Sequence, residues 1–182
     1  MGDKRAIRSK IRLLTQQLSA EEKQREAMIV TRQREDIIRQ NKPTVVAALM
    51  PLHDEIPIDI EHLSHLCRLI LPRISAQSEA CEMEFFDYTP STIHQGSFGI
   101  DEPQAGRAYR AEEIDLMIVP GVAFTLRGER LGRGKGFYDR YLSREGFRAQ
   151  KIGVCFKHQV LEELPTEPHD HTMHKVITAK SE

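Results

Sequence analysis

Ile114-Asp115-Leu116-Met117-Ile118-Val119, closed by Pro120-Gly121, reads as a buried strand: an almost continuous apolar run ended by two breakers. Shortly after it comes Gly128-Glu129-Arg130-Leu131-Gly132-Arg133-Gly134-Lys135-Gly136-Phe137-Tyr138-Asp139, with four glycines, three cations and a closing carboxylate in twelve residues. Residues 137–144 then have the pattern of a short helix. A strand, a basic glycine loop and a helix N-terminus together make a cradle for phosphate. Glycines let backbone N–H groups approach an anion, and the helix end carries roughly half a positive charge. Arg130, Arg133 and Lys135 add full charges, which repel one another unless an anion joins them.

The spacing excludes the better-known phosphate loops. A P-loop needs glycine five residues before the Gly-Lys pair and a hydroxyl after it, but Glu129 and Gly136 occupy those places. Gly132, Gly134 and Gly136 are spaced G-x-G-x-G, so neither the dinucleotide fingerprint nor the kinase glycine loop fits.

Upstream, Asp3 is placed to cap a helix whose apolar positions Ile7, Ile11, Leu14 and Leu18 share a face. Lys4, Arg5, Arg8, Lys10 and Arg12 crowd its first turns, where the helix dipole is already positive. Either water absorbs that cost or an anion sits there. Ser19-Ala20-Glu21-Glu22 is a capping box for a second helix reaching about residue 40, with Ala27, Val30, Ile37 and Ile38 inward. Residues 44–50 read as a buried strand, followed by a loop carrying Asp54 and Glu55, where open α/β sheets collect ligand contacts. Asp59 is expected to cap a third helix running to residue 70. A short strand within 68–74 should be broken by Pro72, and 82–88 should form another.

Residues 96–107 read as a loop, and 109–113 are too short to classify. Downstream, 151–156 should be a strand, 159–164 a short helix and 175–178 a last strand. This alternation implies one α/β domain over residues 1–182 with a largely parallel sheet. His169, His171 and His174 read as a solvated segment, not a metal site, and Cys155 as core.

Composition narrows the class. At 182 residues, with 40% hydrophobic and 29% charged content, the chain can bury a proper core. A net charge of -1 argues against a dedicated nucleic-acid binder. Cys67, Cys81 and Cys155 are odd in number and form no CxxC pair, which fits reduced thiols in the cytoplasm. The N-terminal stretch has no secretory pattern, and no apolar run approaches membrane-spanning length.

Pro120-Gly121-Val122-Ala123-Phe124, Gly128 and the run Arg130 through Asp139 closely resemble the signature of the 5-formyltetrahydrofolate cyclo-ligases, or methenyltetrahydrofolate synthetases. Lys4-Arg5-Ala6-Ile7-Arg8 is similar to that family's N-terminal ATP-touching segment. Asp54-Glu55-Ile56 sets Glu55 at the family's folate-contacting glutamate, with Met50 at the neighbouring apolar contact. Glu102-Pro103 is similar to a family Glu-Pro step, and Asp170 falls at the place of a second magnesium carboxylate. Thr125 stands where many members have Asp, and His174 where an acidic residue is expected.

The resemblance implies a three-layer, Rossmann-like α/β domain with helices on both faces of a mostly parallel sheet. The implied activity is ATP- and Mg2+-dependent closure of 5-formyltetrahydrofolate to 5,10-methenyltetrahydrofolate, releasing ADP and phosphate. Lys135 and Arg133 would stabilise the transferring phosphoryl group. ATP would meet Lys4, Arg5, Ala6, Ile7 and Arg8, together with Arg130, Leu131, Gly132, Arg133, Gly134, Lys135, Gly136, Phe137 and Tyr138. The folate, with or without a polyglutamate tail, would meet Met50, Glu55, Arg133, Gly134, Lys135, Gly136 and Phe137, and Asp139 with Asp170 would hold Mg2+. A cytoplasmic monomer acting on small molecules, with no nucleic acid or membrane partner, is the corresponding expectation. Two other readings stay open from sequence: a non-catalytic nucleotide- or RNA-binding relative, and a sugar-phosphate isomerase with its base beside the loop.

Overall fold

Two capped helices lead the chain, as expected. The Asp3 carboxylate accepts from the Arg5 N–H at the head of α1 (Lys4–Gln17). Ser19 and Glu22 make both halves of the capping box on α2 (Ala20–Asn41). The remaining elements are β1 (Val45–Ala47), α3 (Ile60–Ser64), β2 (Arg68–Ser75), β3 (Glu82–Asp87), β4 (Ile93–Gln95), β5 (Asp101–Pro103), β6 (Leu116–Val119), β7 (Ala123–Phe124), β8 (Arg130–Leu131), α4 (Phe137–Leu142), β9 (Gln150–Val154) and β10 (Lys175–Ile177). This computed structural model describes residues 3–75, 82–96, 99–104 and 106–179. Cys81 lies outside them; Cys67 and Cys155 are free thiols, and Cys155 is buried in the core. No helix among the described residues is long and apolar enough to cross a membrane.

The central sheet runs β10-β9-β6-β1-β2-β3. All its pairings are parallel except β2 with β3. Strand residues alternate between two cores, as the two-residue period requires. Val46, Leu69, Leu116, Ile118 and Ile152 face α2 and α3 through Val30, Ile37, Ile38 and Leu63. Val45, Ile70, Met117 and Val119 face Tyr141 and Leu142 of α4 and Phe124 of β7. Helices therefore cover both faces of a mostly parallel sheet, and its apolar runs are those of strands buried on both sides. The parallel strands go outward from β1 in two directions, to β2 on one side and to β6 on the other. That makes β1/β6 the topological switch point, where the carboxyl ends of the strands leave a crevice.

Several local expectations are corrected. Pro72 does not break β2. Leu69 O accepts from Tyr88 N–H, and the register pairs Pro72 with Phe85. Counting from that bonded pair, residue 72 turns its nitrogen away from β3, towards ground that β1 has already left, so no ladder bond is lost. The third helix stops at Ser64 rather than reaching 70, because Arg68, Leu69 and Ile70 pair with Val45, Val46 and Ala47. Residues 96–107 are not simply a loop: β5 pairs with β4 in a small antiparallel ribbon.

No helix forms over 159–164. A 3-10 turn covers Lys157–Gln159, and then Val160 bridges Phe124 while Leu161 N–H donates to Phe124 O. Buried Gln159 accepts from Phe156 N–H and donates to Gly121 and Val122 carbonyls, so tertiary hydrogen bonds override the helical pattern. Residues left unclassified at 109–113 hold a second 3-10 turn, Ala111–Glu113, with Tyr109 bridging Phe85.

Candidate active site

At the switch point lies a cleft of about 300 Å³. Leu49, Met50 and Leu52 follow β1 into one wall; Pro72 and Ile74 of β2, Met83 of β3 and Ile100 extend it. The opposite wall is the glycine loop, residues 132–136, continuing into Phe137, Tyr138 and Asp139, with Pro120 and Gly121 beneath. Glu55 is set into this largely apolar slot. Such a shape suits a flat ligand with an apolar body and a polar edge. A smaller cleft of about 40 Å³ adjoins it, lined by Arg8, Arg12, Asp54 and Gln159 among others; Gly121 and Arg133 border both clefts.

The loop is fastened at its base. β7 and β8 form a hairpin, and Thr125 Oγ1 donates to the Glu129 carboxylate at 2.8 Å while accepting from Glu129 N–H at 3.2 Å. Thr125, the position departing from Asp, thus closes the turn. Arg130 is buried under the loop, its side chain only 4% exposed. It donates to Pro120 O at 3.0 Å and to Asp139 Oδ1 at 2.6 Å, with Tyr138's ring centroid 5.9 Å away. It ties the end of β6 to the first turn of α4. A Cβ on Gly132 would lie 2.9 Å from Arg130 Nη1, so a larger residue there would have to shift this guanidinium.

Arg133 reaches across the cleft instead. Its guanidinium donates to Asp54 at 2.6 and 3.1 Å and to Glu55 Oε1 at 3.0 and 3.1 Å. Glu55's other oxygen accepts from Leu52 N–H at 2.9 Å. Burial works against both charges, yet hydrogen bonds between Arg133 and Asp54 prevail: the Asp54 carboxyl is held low and the Arg133 guanidinium high. Lys135 stays at the loop's exposed crest, its ammonium 5.9 Å from the Phe137 ring centroid. Phe137 and Tyr138 line the slot, and burial pushes the Tyr138 phenol well up.

The N-terminal segment divides. Arg8 Nε donates to Gly132 O at 2.8 Å, and Lys4 Nζ meets Asp170 at 3.0 Å and Glu167 at 2.5 Å. Ile7 packs with the cluster that docks α1 on Ala123 and Leu131. Arg5 and Ala6 are exposed. Leu131 is buried under the hairpin. Asp170 accepts also from Glu167 N–H; burial opposes its charge, but the bond from Lys4 holds its carboxyl low. Asp139 and Asp170 both act electrostatically on His171.

The histidine stretch is solvated but tethered: His171 Nε2 lies 2.8 Å from Ser143 Oγ, and the exposed His174 accepts from Lys151 N–H through Nδ1. His169 is exposed and lies with Glu167 and Asp170 in a group whose ligand atoms fall within 4.8 Å. The apolar wall from Pro72, Ile74, Met83 and Ile100 has no local signature, and neither has Asp54's partnership with Arg133. Leu49 and Leu52 could have been found, since they directly follow a strand at the ligand end of a sheet.

The chain matches the model of the 5-formyltetrahydrofolate cyclo-ligase family over residues 1–179. It is 37% identical over 143 residues to a 5-formyltetrahydrofolate cyclo-ligase of Mycolicibacterium smegmatis, covering 74% of this chain and 73% of that one. To the mouse 5-formyltetrahydrofolate cyclo-ligase it is 28% identical over 192 residues, covering 96% and 92%. The solved 5,10-methenyltetrahydrofolate synthetase of Aquifex aeolicus superposes with a TM-score of 0.81 at 33% identity, covering 95% of this chain and 88% of that one. A Mycoplasma pneumoniae 5,10-methenyltetrahydrofolate synthetase shares the fold, at a TM-score of 0.79 and 24% identity over 97% and 99% of the two chains.

Proposed function

The chain belongs to the 5-formyltetrahydrofolate cyclo-ligase family, and from that premise we propose that it closes 5-formyltetrahydrofolate to 5,10-methenyltetrahydrofolate with ATP as co-substrate. The observation that carries this reading is the meeting of two unlike surfaces. An apolar slot with Glu55 in its wall faces a glycine loop bearing Arg133 and Lys135. One surface suits a pterin, the other a polyphosphate.

The chemistry asks for both. A formamide carbon is a poor electrophile, and its oxygen a poor leaving group. Transfer of the γ-phosphoryl group to the formyl oxygen turns that oxygen into phosphate-to-be and leaves the carbon electrophilic. N10 attacks the carbon, loses its proton, and the C–O bond breaks as phosphate departs. Phosphoryl transfer needs chiefly positioning and charge stabilisation. Lys135 and Arg133 take that role, helped by the N–H groups of residues 132–136, while Arg130 braces the loop from below. Glu55 accepts hydrogen bonds from the pterin's N–H edge, which a carboxylate matches. Met50, Pro72 and Met83 enclose the ring. Arg8 and Lys4 bring α1 towards the nucleotide, which gives a reason for cations at a positive helix end.

Carboxylate oxygens are the hard donors that Mg2+ prefers; Asp139 gives one oxygen to Arg130, and Asp170 gives one to Lys4 with its other 3.7 Å from His169 Nε2. These two would hold the ion, which when bound would shield the triphosphate's charge. The location that suits such a reaction is the cytoplasm, and the working unit is a monomer.

The test mixes protein, MgATP and 5-formyltetrahydrofolate and follows the ultraviolet absorbance of the methenyl product. Growth of that band with stoichiometric ADP is expected. Folded protein that binds ATP yet gives no band would overturn the reading.

A further inference from the structure

Asp54 makes the shortest contact of the Arg133 clasp, 2.6 Å. The two carboxylates of the clasp face different places. Asp54 lines the small cleft with Arg8 and Arg12, Glu55 lines the large one, and Arg133 borders both. The side chains are 14%, 10% and 36% exposed respectively for Asp54, Glu55 and Arg133, so the pairing is partly shielded from water.

Both oxygens of Glu55 are engaged, one by Arg133 and one by Leu52 N–H. Two bonds from Arg133 fill Oε1, so a pterin N–H edge that takes both oxygens of Glu55 must displace Arg133 from that one. Losing one of two carboxylates leaves a half-buried guanidinium seeking an anion, and Asp54 is the one that stays.

We propose that Asp54 is a positioning residue for the cyclo-ligase reaction: it retains Arg133 at the boundary of the two clefts while the folate takes over Glu55. The inference rests on the proposed reading of the large cleft as the folate site. Asp54 holds two guanidinium nitrogens in a fork, so it fixes the plane of Arg133 as well as its charge. Arg133 is then poised beside the phosphates with its orientation set before they react. Asp54 also sets how the ligands compete for Arg133. With its charge removed, Arg133 would hold Glu55 more tightly against the folate and offer more net positive charge to nucleotide.

The two effects oppose each other, and that gives the test. Asp54→Asn keeps size and one acceptor oxygen, and it would be compared with wild type and with Asp54→Glu. Calorimetry would measure binding of 5-formyltetrahydrofolate and of the non-hydrolysable β,γ-imido analogue of MgATP, separately. For Asp54→Asn we expect folate affinity about tenfold weaker and nucleotide affinity unchanged or up to about threefold tighter. Turnover should fall by about tenfold to a hundredfold, the scale for a misplaced transition-state group. Asp54→Glu should recover part of the folate affinity. Equal weakening of both ligands with a lowered melting temperature would show a merely structural clasp and overturn the proposal. So would an Asn variant whose two affinities and turnover equal those of wild type. Wild-type protein that binds nucleotide but not 5-formyltetrahydrofolate would remove the reading of the cleft itself, and the proposal with it.

Discussion

Lys135 sits between Gly134 and Gly136 at an exposed crest of the loop, whereas Arg130 lies buried beneath the same loop and Arg133 crosses it to two carboxylates. Three cations within six residues thus meet three different surroundings. Lys135→Ala should lower turnover by about a hundredfold or more with little change in melting temperature, the scale for removing one donor to a developing charge. Steady-state kinetics beside a thermal melt would check it; near-normal turnover would take Lys135 out of the transition state. The sequence makes Lys135 and Arg133 legible as a pair, because cations interleaved with glycines imply an anion. It cannot tell them from Arg130. Which cation turns under the loop depends on Pro120 O and Asp139, and that geometry exists only after the β7–β8 hairpin has closed.

At the scale of elements, the hairpin tip shows what holds the loop in place. Gly128 has φ 98°, and a Cβ there would lie 2.2 Å from Met173 O. Its own carbonyl accepts from Met173 N–H at 2.8 Å, so the tip is stitched to the segment before β10. Gly128→Ala combines a left-handed backbone with a clash against main chain. It should destabilise the protein by about 2–4 kcal/mol, read as a lower urea midpoint. An unchanged midpoint would mean that the tip can lift from Met173. Elements with strong local chemistry were readable in the sequence: both capped helices, the apolar strands, and the breaker pair after β6. Those decided by distant partners were not. β2 runs through Pro72 because β1 has ended there, and Val160 and Leu161 leave the helical pattern because β7 offers Phe124. The cleft's apolar wall is illegible for the same reason, being built from β2 and β3 side chains far from the glycine loop in sequence.

For the whole molecule, protonation couples to stability in one direction on the acid side. Burial chiefly lowers His158, His171 and His174 from the ordinary 6.5. The unfolded chain therefore takes up these protons first, and stability should decline as pH falls below 6.5. Asp54 and Asp170, despite burial, are held below 3.8 by Arg133 and Lys4, and Asp87 by its bond from Arg68. Their contribution is present above 3.8 and is lost as pH falls through their lower folded values. Melting temperatures from pH 7.5 to 3.5 should thus fall throughout, gently at first and then more steeply; a maximum near pH 5 would contradict this. The docking of α1 carries a further consequence, for the order of assembly. Its hydrogen-bond partners Gly132, His158, Glu167 and Asp170 are separated from Arg8, Thr15 and Lys4 by 124 to 166 positions along the chain. Local contacts form early and such distant ones late. On the ribosome α1 emerges long before anything it can rest on, and waits as an unpartnered amphipathic helix until the last third of the chain has arrived. The corner of the cleft beside α1 is therefore completed last, and if it takes nucleotide as proposed, a bound nucleotide would select chains that have finished folding from those that have not.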